Sequence, residues 1–191
     1  MHFTLADLVT DITQNAVEAG ADLVELDIME NMPSDLSSNC KSEFRFIVKD
    51  NGVGMTEEEL KKAIDPFVTD GIKHPNRKVG LGLPFMIQTA EQSNGGWDIK
   101  SEKGKGTTVT AWFDAGNVDV PPTGDIPGMI RMILMFESKA EIVIRRKKLT
   151  NGIEDEYEVR KSELTEVLGG LEKAGSLVLL KEYLCSLEDN K

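Results

Sequence analysis

Cysteine, histidine and aromatic residues are scarce in this chain: of 191 residues, two are Cys, two are His and 6% are aromatic. Cys40 and Cys185 are far apart and match no metal-ligand spacing, which argues against a disulfide framework or a zinc ribbon. Both thiols are expected to stay reduced, as in the cytoplasm. Long apolar runs are missing. The longest lies near Met129 to Phe136, far short of the ~20 residues needed to cross a bilayer. The opening Met1-His2-Phe3 leads into no basic stretch followed by an apolar one, so no secretory leader is expected. Positive charge is in deficit, with a formal net charge of −11. Such a chain repels phosphate backbones, and non-specific nucleic-acid binding is not expected. The pattern G-x-x-x-x-G-K-S/T does not occur, which excludes a P-loop. Repeats and low-complexity segments are absent as well.

What is present is a globular composition, 40% hydrophobic and 29% charged. The length suits one domain with a smaller appendage. Thr4 and Asp7 open a helix as a capping box, followed by Leu5, Leu8, Val9, Ile12, Ala16 and Ala19 on one stripe. Gly20 ends it. Val24, Leu26 and Ile28 alternate with acids, and Phe44, Phe46 and Val48 alternate with Arg45 and Lys49; each pattern predicts a half-buried strand. Thr56 caps a short helix to Ile64, and a further helix runs from about Gly82 to Ser93. Trp97–Ser101 and Thr107–Phe113 predict a hairpin joined by Glu102 to Gly106. The Pro- and Gly-rich stretch 116–127 reads as a linker between residues 1–115 and a small α+β unit at 128–191. In that unit helices are expected at Ile130–Phe136, Leu164–Leu171 and Leu177–Leu187. Strands are expected at Ala140–Lys148 and Glu156–Arg160, turning at Asn151-Gly152. The basic run Arg145-Arg146-Lys147-Lys148 alternates along a strand, where Glu154, Asp155 and Glu156 can pair with it across the hairpin.

Three short stretches hold the chemistry-bearing residues. On the first helix, Asp11, Asn15 and Glu18 are spaced by four and three and so share one face. A neutral amide there can ligate Mg²⁺, and a carboxylate one turn earlier can orient a water. A plain solvated face is the alternative. Asp50-Asn51-Gly52-Val53-Gly54-Met55 closes a strand with a glycine turn, which is also a common turn in its own right. Gly80-Leu81-Gly82-Leu83 precedes a helix, where free amides and close backbone approach favour phosphate.

In this order and at these separations the stretches resemble the ATP-site boxes of the GHKL superfamily (gyrase, Hsp90, histidine kinase, MutL). Asp11 to Asp22, with Glu18 and Ala19, looks like the N box of MutL-type proteins. Asp50 to Met55 looks like the G1 box and Gly80 to Leu83 like the lid box. Asp65-Pro66-Phe67-Val68-Thr69 is similar to the F box of histidine kinases, and Glu102 to Val109 to the hairpin that closes the domain. The first box is MutL-like and the later ones kinase-like. The resemblance covers roughly residues 4 to 115.

It implies an α+β fold: a two-layer α/β sandwich of the Bergerat type, with a mixed, mostly antiparallel sheet and helices on one face. To this the C-terminal α+β unit would be added. It implies ATP and Mg²⁺ as cofactors, with Asn15 as the metal ligand and Asp11 as the catalytic carboxylate. Asp50 would accept a hydrogen bond from the adenine amine, with Gly52, Gly54 and Met55 against the base and Thr107 beside Asp50. Thr69, Lys78, Gly80, Leu81, Gly82 and Leu83 would surround the phosphates. Two positions depart from the family pattern. Asp11 falls where hydrolytic members carry glutamate, one methylene longer, so hydrolysis is expected to be slow. Lys78 falls where the lid usually has its first glycine.

Three functions follow from the resemblance. One is a cytoplasmic, stand-alone phosphotransferase or regulator acting in trans on a partner protein. Another is a MutL-like ATPase whose lid gates a partner. The third is a non-catalytic nucleotide sensor of a redox or hydrogenase complex, because the tail resembles stand-alone superfamily members encoded beside iron-hydrogenase subunits. Neither His2 nor His74 precedes an acid-Leu-Arg pattern on a helix, so conventional autophosphorylation is not expected. The tail is assigned to partner binding or to a homodimer. Whether the chain is an enzyme stays open at this point.

Overall fold

The computed structural model describes residues 3–32, 42–67 and 82–189. Its elements run α1 (Leu5–Glu18), β1 (Leu23–Met32), β2 (Glu43–Asp50), α2 (Glu57–Ile64), α3 (Gly82–Gln92), β3 (Gly96–Glu102) and β4 (Gly106–Asp114). They continue with α4 (Ile126–Leu134), β5 (Glu141–Thr150), β6 (Ile153–Arg160), α5 (Lys161–Leu168) and α6 (Ala174–Glu188).

The opening helix forms for the reason its sequence suggests. The Thr4 hydroxyl accepts the Asp7 N–H at 3.2 Å, and the Asp7 carboxylate accepts the Thr4 N–H at 2.9 Å. Two more free amides are satisfied from outside, since Leu5 and Ala6 donate to the carbonyls of Pro122 and Thr123, both at 2.9 Å. The stretch expected to be a linker therefore anchors the start of α1. Thr4→Ala is expected to lower stability by about 1 kcal/mol, to be checked by urea unfolding with an unchanged slope. Thr56 and Glu59 build the same box on α2.

A six-stranded sheet runs β3-β4-β2-β1-β5-β6. Neighbours are antiparallel except β1 and β5, which are parallel with Leu26 beside Ile144. Alternation sends Val24, Leu26, Ile28, Phe44, Phe46, Ala111, Phe113, Ile142 and Ile144 to one face, where they are buried. Leu8, Val9 and Ile12 of α1, Met86 and Ala90 of α3, Ile130 and Ile133 of α4 and Leu180 and Leu184 of α6 cover that face. This is the helix-on-one-face, mixed-sheet α+β architecture expected above.

The tail differs from its expected outline in two ways. First, α4 begins at Ile126 and not near Ile130. Asp125 caps it by accepting the Gly128 N–H at 2.9 Å, and Pro127 sits in the first turn, where no amide is needed. Second, residues 128–191 share both the sheet and the core with the residues before 116. β5 pairs with β1, and α4 packs on α1. A buried strand flanked on both sides reads as a local hairpin in sequence, because its second neighbour lies far away in the chain.

On the opposite face Arg145 meets Glu25 at 3.1 Å, Asp27 at 3.2 Å and Glu158 at 2.8 Å. Lys147 meets Glu154 at 2.8 Å, the cross-hairpin pairing expected of the basic run. Arg146 turns the other way and is buried with Glu30 and Glu188. Among the described residues no helix is long and apolar enough to cross a membrane.

Candidate functional site

The end of α1 and the turn after β2 are joined by hydrogen bonds from one side chain and from backbone. Asn51 is the main stitch. Its side-chain oxygen accepts the N–H of Asp22 at 2.9 Å and of Leu23 at 3.0 Å, where the chain leaves α1 for β1. Val53 donates to the Ala19 carbonyl at 3.0 Å. A Cβ on Gly52 would lie 2.7 Å from that carbonyl oxygen and 3.0 Å from the Asp50 carboxylate, so only glycine lets the two segments close. Gly54, at φ +57°, faces the Glu102 carbonyl oxygen, and a side chain there would run into the β3–β4 turn.

Asp50 is 8% exposed. Its carboxylate accepts the Gly52 N–H at 2.8 Å and feels the nearby Thr107 N–H. Burial pushes its pKa above the ordinary 3.8, and the two backbone N–H groups pull partly back. Register aligns three residues across neighbouring strands. Asp50 of β2 stands opposite Thr107 of β4, and Thr107 opposite Ser101 of β3. Paired residues share a face, here the helix-bearing one. Ser101 Oγ lies 2.8 Å from Thr107 Oγ1 and accepts the Met55 N–H at 2.8 Å. Sequence reading missed Ser101. The predicted hairpin held the signal, since it already set residue 101 against residue 107.

The start of α3 closes a second side. A Cβ on Gly82 would lie 3.3 Å from Asn15 Nδ2 and 3.9 Å from Asp11 Cβ. The segment after 68–81 thus returns against the α1 face that bears Asp11 and Asn15. Asn15 lies one turn before Ala19, whose N–H donates to the Asn15 carbonyl at 2.9 Å. One helix end therefore links both groups: Asp11, Asn15 and Gly82 on one side, and Ala19, Asp50, Gly52, Gly54, Met55 and Thr107 on the other. Leu83 packs against the core behind Gly82. Glu18 is exposed and accepts the Gln14 side-chain amide at 2.9 Å. Thr69, Lys78, Gly80 and Leu81 lie outside the described residues. Two clefts lie away from this cluster, one of about 370 Å³ between α4 and α6 and one of about 500 Å³ over β1, β5 and β6. Neither gathers the residues expected of the site.

Residues 3–117 match the family described as "Histidine kinase-, DNA gyrase B-, and HSP90-like ATPase". The chain belongs to this family. Its sheet and helices are the Bergerat arrangement of these GHKL ATPases. Over 60 residues it is 42% identical to sporulation kinase E of Bacillus subtilis (strain 168), covering 31% of this chain and 8% of that protein. Over 70 residues it is 37% identical to the sensor protein SrrB of Staphylococcus aureus (strain NCTC 8325 / PS 47), covering 36% of this chain and 12% of that protein. The chain thus matches only a small fraction of these relatives' length. Among solved structures it is similar to the N-terminal domain of a DNA repair protein, at 13% identity and a TM-score of 0.47 over 91% of this chain and 58% of that one. It is also similar to the Aquifex aeolicus MutL ATPase domain complexed with ADP, at 17% identity and a TM-score of 0.39 over 87% and 69%.

Proposed function

We propose that the chain binds Mg-ATP between α1, the turn after β2 and the start of α3, and acts as a phosphotransferase in trans on a partner protein. The observation that carries this reading is the convergence on α1. Its Asp11–Asn15 face meets Gly82, and its Ala19 end meets Gly52 beside the Asp50 carboxylate. An adenine amine offered to Asp50 would find a buried acceptor, whereas the guanine oxygen would meet like charge. Phosphates extending from the base toward Gly82 would reach the amide of Asn15.

The donor set suits magnesium. Among the described residues no three His, Cys, Asp or Glu side chains gather to hold a metal. An ion here would take the neutral Asn15 oxygen and draw its other ligands from phosphate and water. Bound there, Mg²⁺ would neutralise charge developing on the transferred phosphoryl group. Asp11 faces the same place, one methylene short of the glutamate of hydrolytic members, which favours transfer over hydrolysis. The name of one relative, sporulation kinase E, supports the same choice. For the partner, α4, its C-terminal cap and α6 offer Met132, Met135, Val178, Leu179 and Tyr183 as exposed apolar side chains.

The test uses γ-labelled ATP and Mg²⁺ with the purified chain, alone and with cell extract. The expected result is label on a second protein and little free phosphate from the chain alone. Rapid phosphate release abolished by Asp11→Asn would establish an ATPase instead. Binding with neither product would establish a sensor. Absence of calorimetric binding of Mg-ATP would overturn the reading altogether.

A further inference from the structure

We propose that Ser101 is a positioning residue that sharpens the nucleobase preference given by Asp50, by making Thr107 a second acceptor that favours a 6-aminopurine over a 6-oxopurine. This rests on the nucleotide reading above and adds a residue that touches no ligand itself.

A serine hydroxyl has one proton to give and two lone pairs to receive. Ser101 Oγ has three polar neighbours: the Met55 N–H at 2.8 Å, the Thr107 hydroxyl at 2.8 Å and the Gly106 carbonyl at 3.3 Å. The Met55 amide can only donate, and the Gly106 carbonyl can only accept. One arrangement satisfies all three partners at once. Ser101 gives its proton to Gly106 and receives from Met55 and from Thr107. The Thr107 proton is then committed to Ser101, and Thr107 presents only lone pairs elsewhere.

Asp50 stands opposite Thr107 on the next strand and is also an acceptor, already holding the Gly52 N–H at 2.8 Å. Two acceptors side by side suit an exocyclic amine, which has two N–H groups to give directly or through a water. They oppose a 6-oxo group, which has none. Without Ser101 the Thr107 hydroxyl is free to turn its proton outward and donate to an oxo group. The Met55 N–H loses its partner in the same step, so the turn after β2 loosens.

The experiment compares ATP with inosine triphosphate, which carries oxygen in place of the 6-amino group, by calorimetry on the full chain. Ser101→Ala is expected to cut the ATP-over-inosine preference about tenfold, the scale of one redirected hydrogen bond. Ser101→Thr, which keeps the hydroxyl, is expected to restore it. A purely supporting role for Ser101 would weaken both nucleotides equally. An unchanged ratio in Ser101→Ala overturns the proposal while leaving ATP binding intact. Failure of the unmodified chain to bind ATP overturns the underlying reading, and with it the proposal. If Ser101→Ala does not fold, Ser101→Cys carries the same test, because it keeps the volume and replaces the hydroxyl with a weak donor.

Discussion

Asp50→Asn is expected to weaken ATP binding about a hundredfold, the cost of presenting a donor where a buried acceptor is required. The carboxylate offers two oxygens, one to the Gly52 N–H and one to the proposed adenine amine. The amide offers one oxygen and an NH₂ that opposes whichever donor it faces. Relief of the burial penalty on the charge offsets the lost backbone contact, so the sheet is expected to survive, as circular dichroism would show. Calorimetry that finds unchanged affinity would remove Asp50 from the site. A pH dependence follows from the same burial. The unfolded chain releases this proton near 3.8, while the folded chain holds it to a higher pH. Between those values the folded state binds more protons, so this group makes stability fall as pH rises. The carboxylate is complete only above the window, and nucleotide affinity is expected to climb with pH across it.

The second large effect lies under α6. Arg146 is 2% exposed and ion-paired with Glu30 and Glu188. Tyr157 donates its hydroxyl to Glu188 at 2.6 Å, and Thr123 donates to Glu30 at 3.4 Å. Burial, reinforced by Glu188, pushes the Tyr157 phenol far up, so it remains a donor at any ordinary pH. Removing Arg146 takes the paired cation from two shielded carboxylates. Arg146→Ala is expected to cost about 3–5 kcal/mol in guanidinium unfolding, because the remaining charges lose their compensation. Lys147→Ala, which breaks an exposed pair with Glu154, is expected to cost at most about 1 kcal/mol. Equal effects for the two would mean that the Arg146 cluster is wet. Replacing Arg146, Glu30 and Glu188 together by apolar residues of similar volume is the milder change, since no ion is left behind.

Local chemistry made much of this molecule legible. Thr4 with Asp7, and Thr56 with Glu59, announce helix starts through contacts that span three residues. Alternation in Phe44-Arg45-Phe46 and in Val24-Glu25-Leu26 announces half-buried strands. Asp50-Asn51-Gly52 shows its turn, and the fit of Gly52 against Ala19 follows from the absence of a side chain. What stayed hidden depends on distant partners. Ser101 sits opposite Thr107 in the predicted hairpin, but its Met55 partner, 46 residues away, gives it no signature in sequence. Pro127 signals a break or a first helical turn with equal force, and the Asp125 cap decides between them. Alternation in Arg145-Arg146-Lys147-Lys148 announces a strand paired across its hairpin, but only the packing of α6 shows that Arg146 is buried with Glu30 and Glu188. Above all, the place of β5 beside β1 is written in no local pattern.

That parallel pairing bears on how the protein comes into being. β2, the antiparallel neighbour of β1, follows it closely in the chain, but the strand on its other flank is not made until residues 141–150. Until then ten residues of edge strand offer bare amides and carbonyls to any passing chain. A piece ending at residue 115, where a reader of the sequence would trim it, keeps that sticky border permanently. Residues 1–115 are therefore expected to be a poor candidate for life on their own, since β5, made far later in the chain, is the seal of β1.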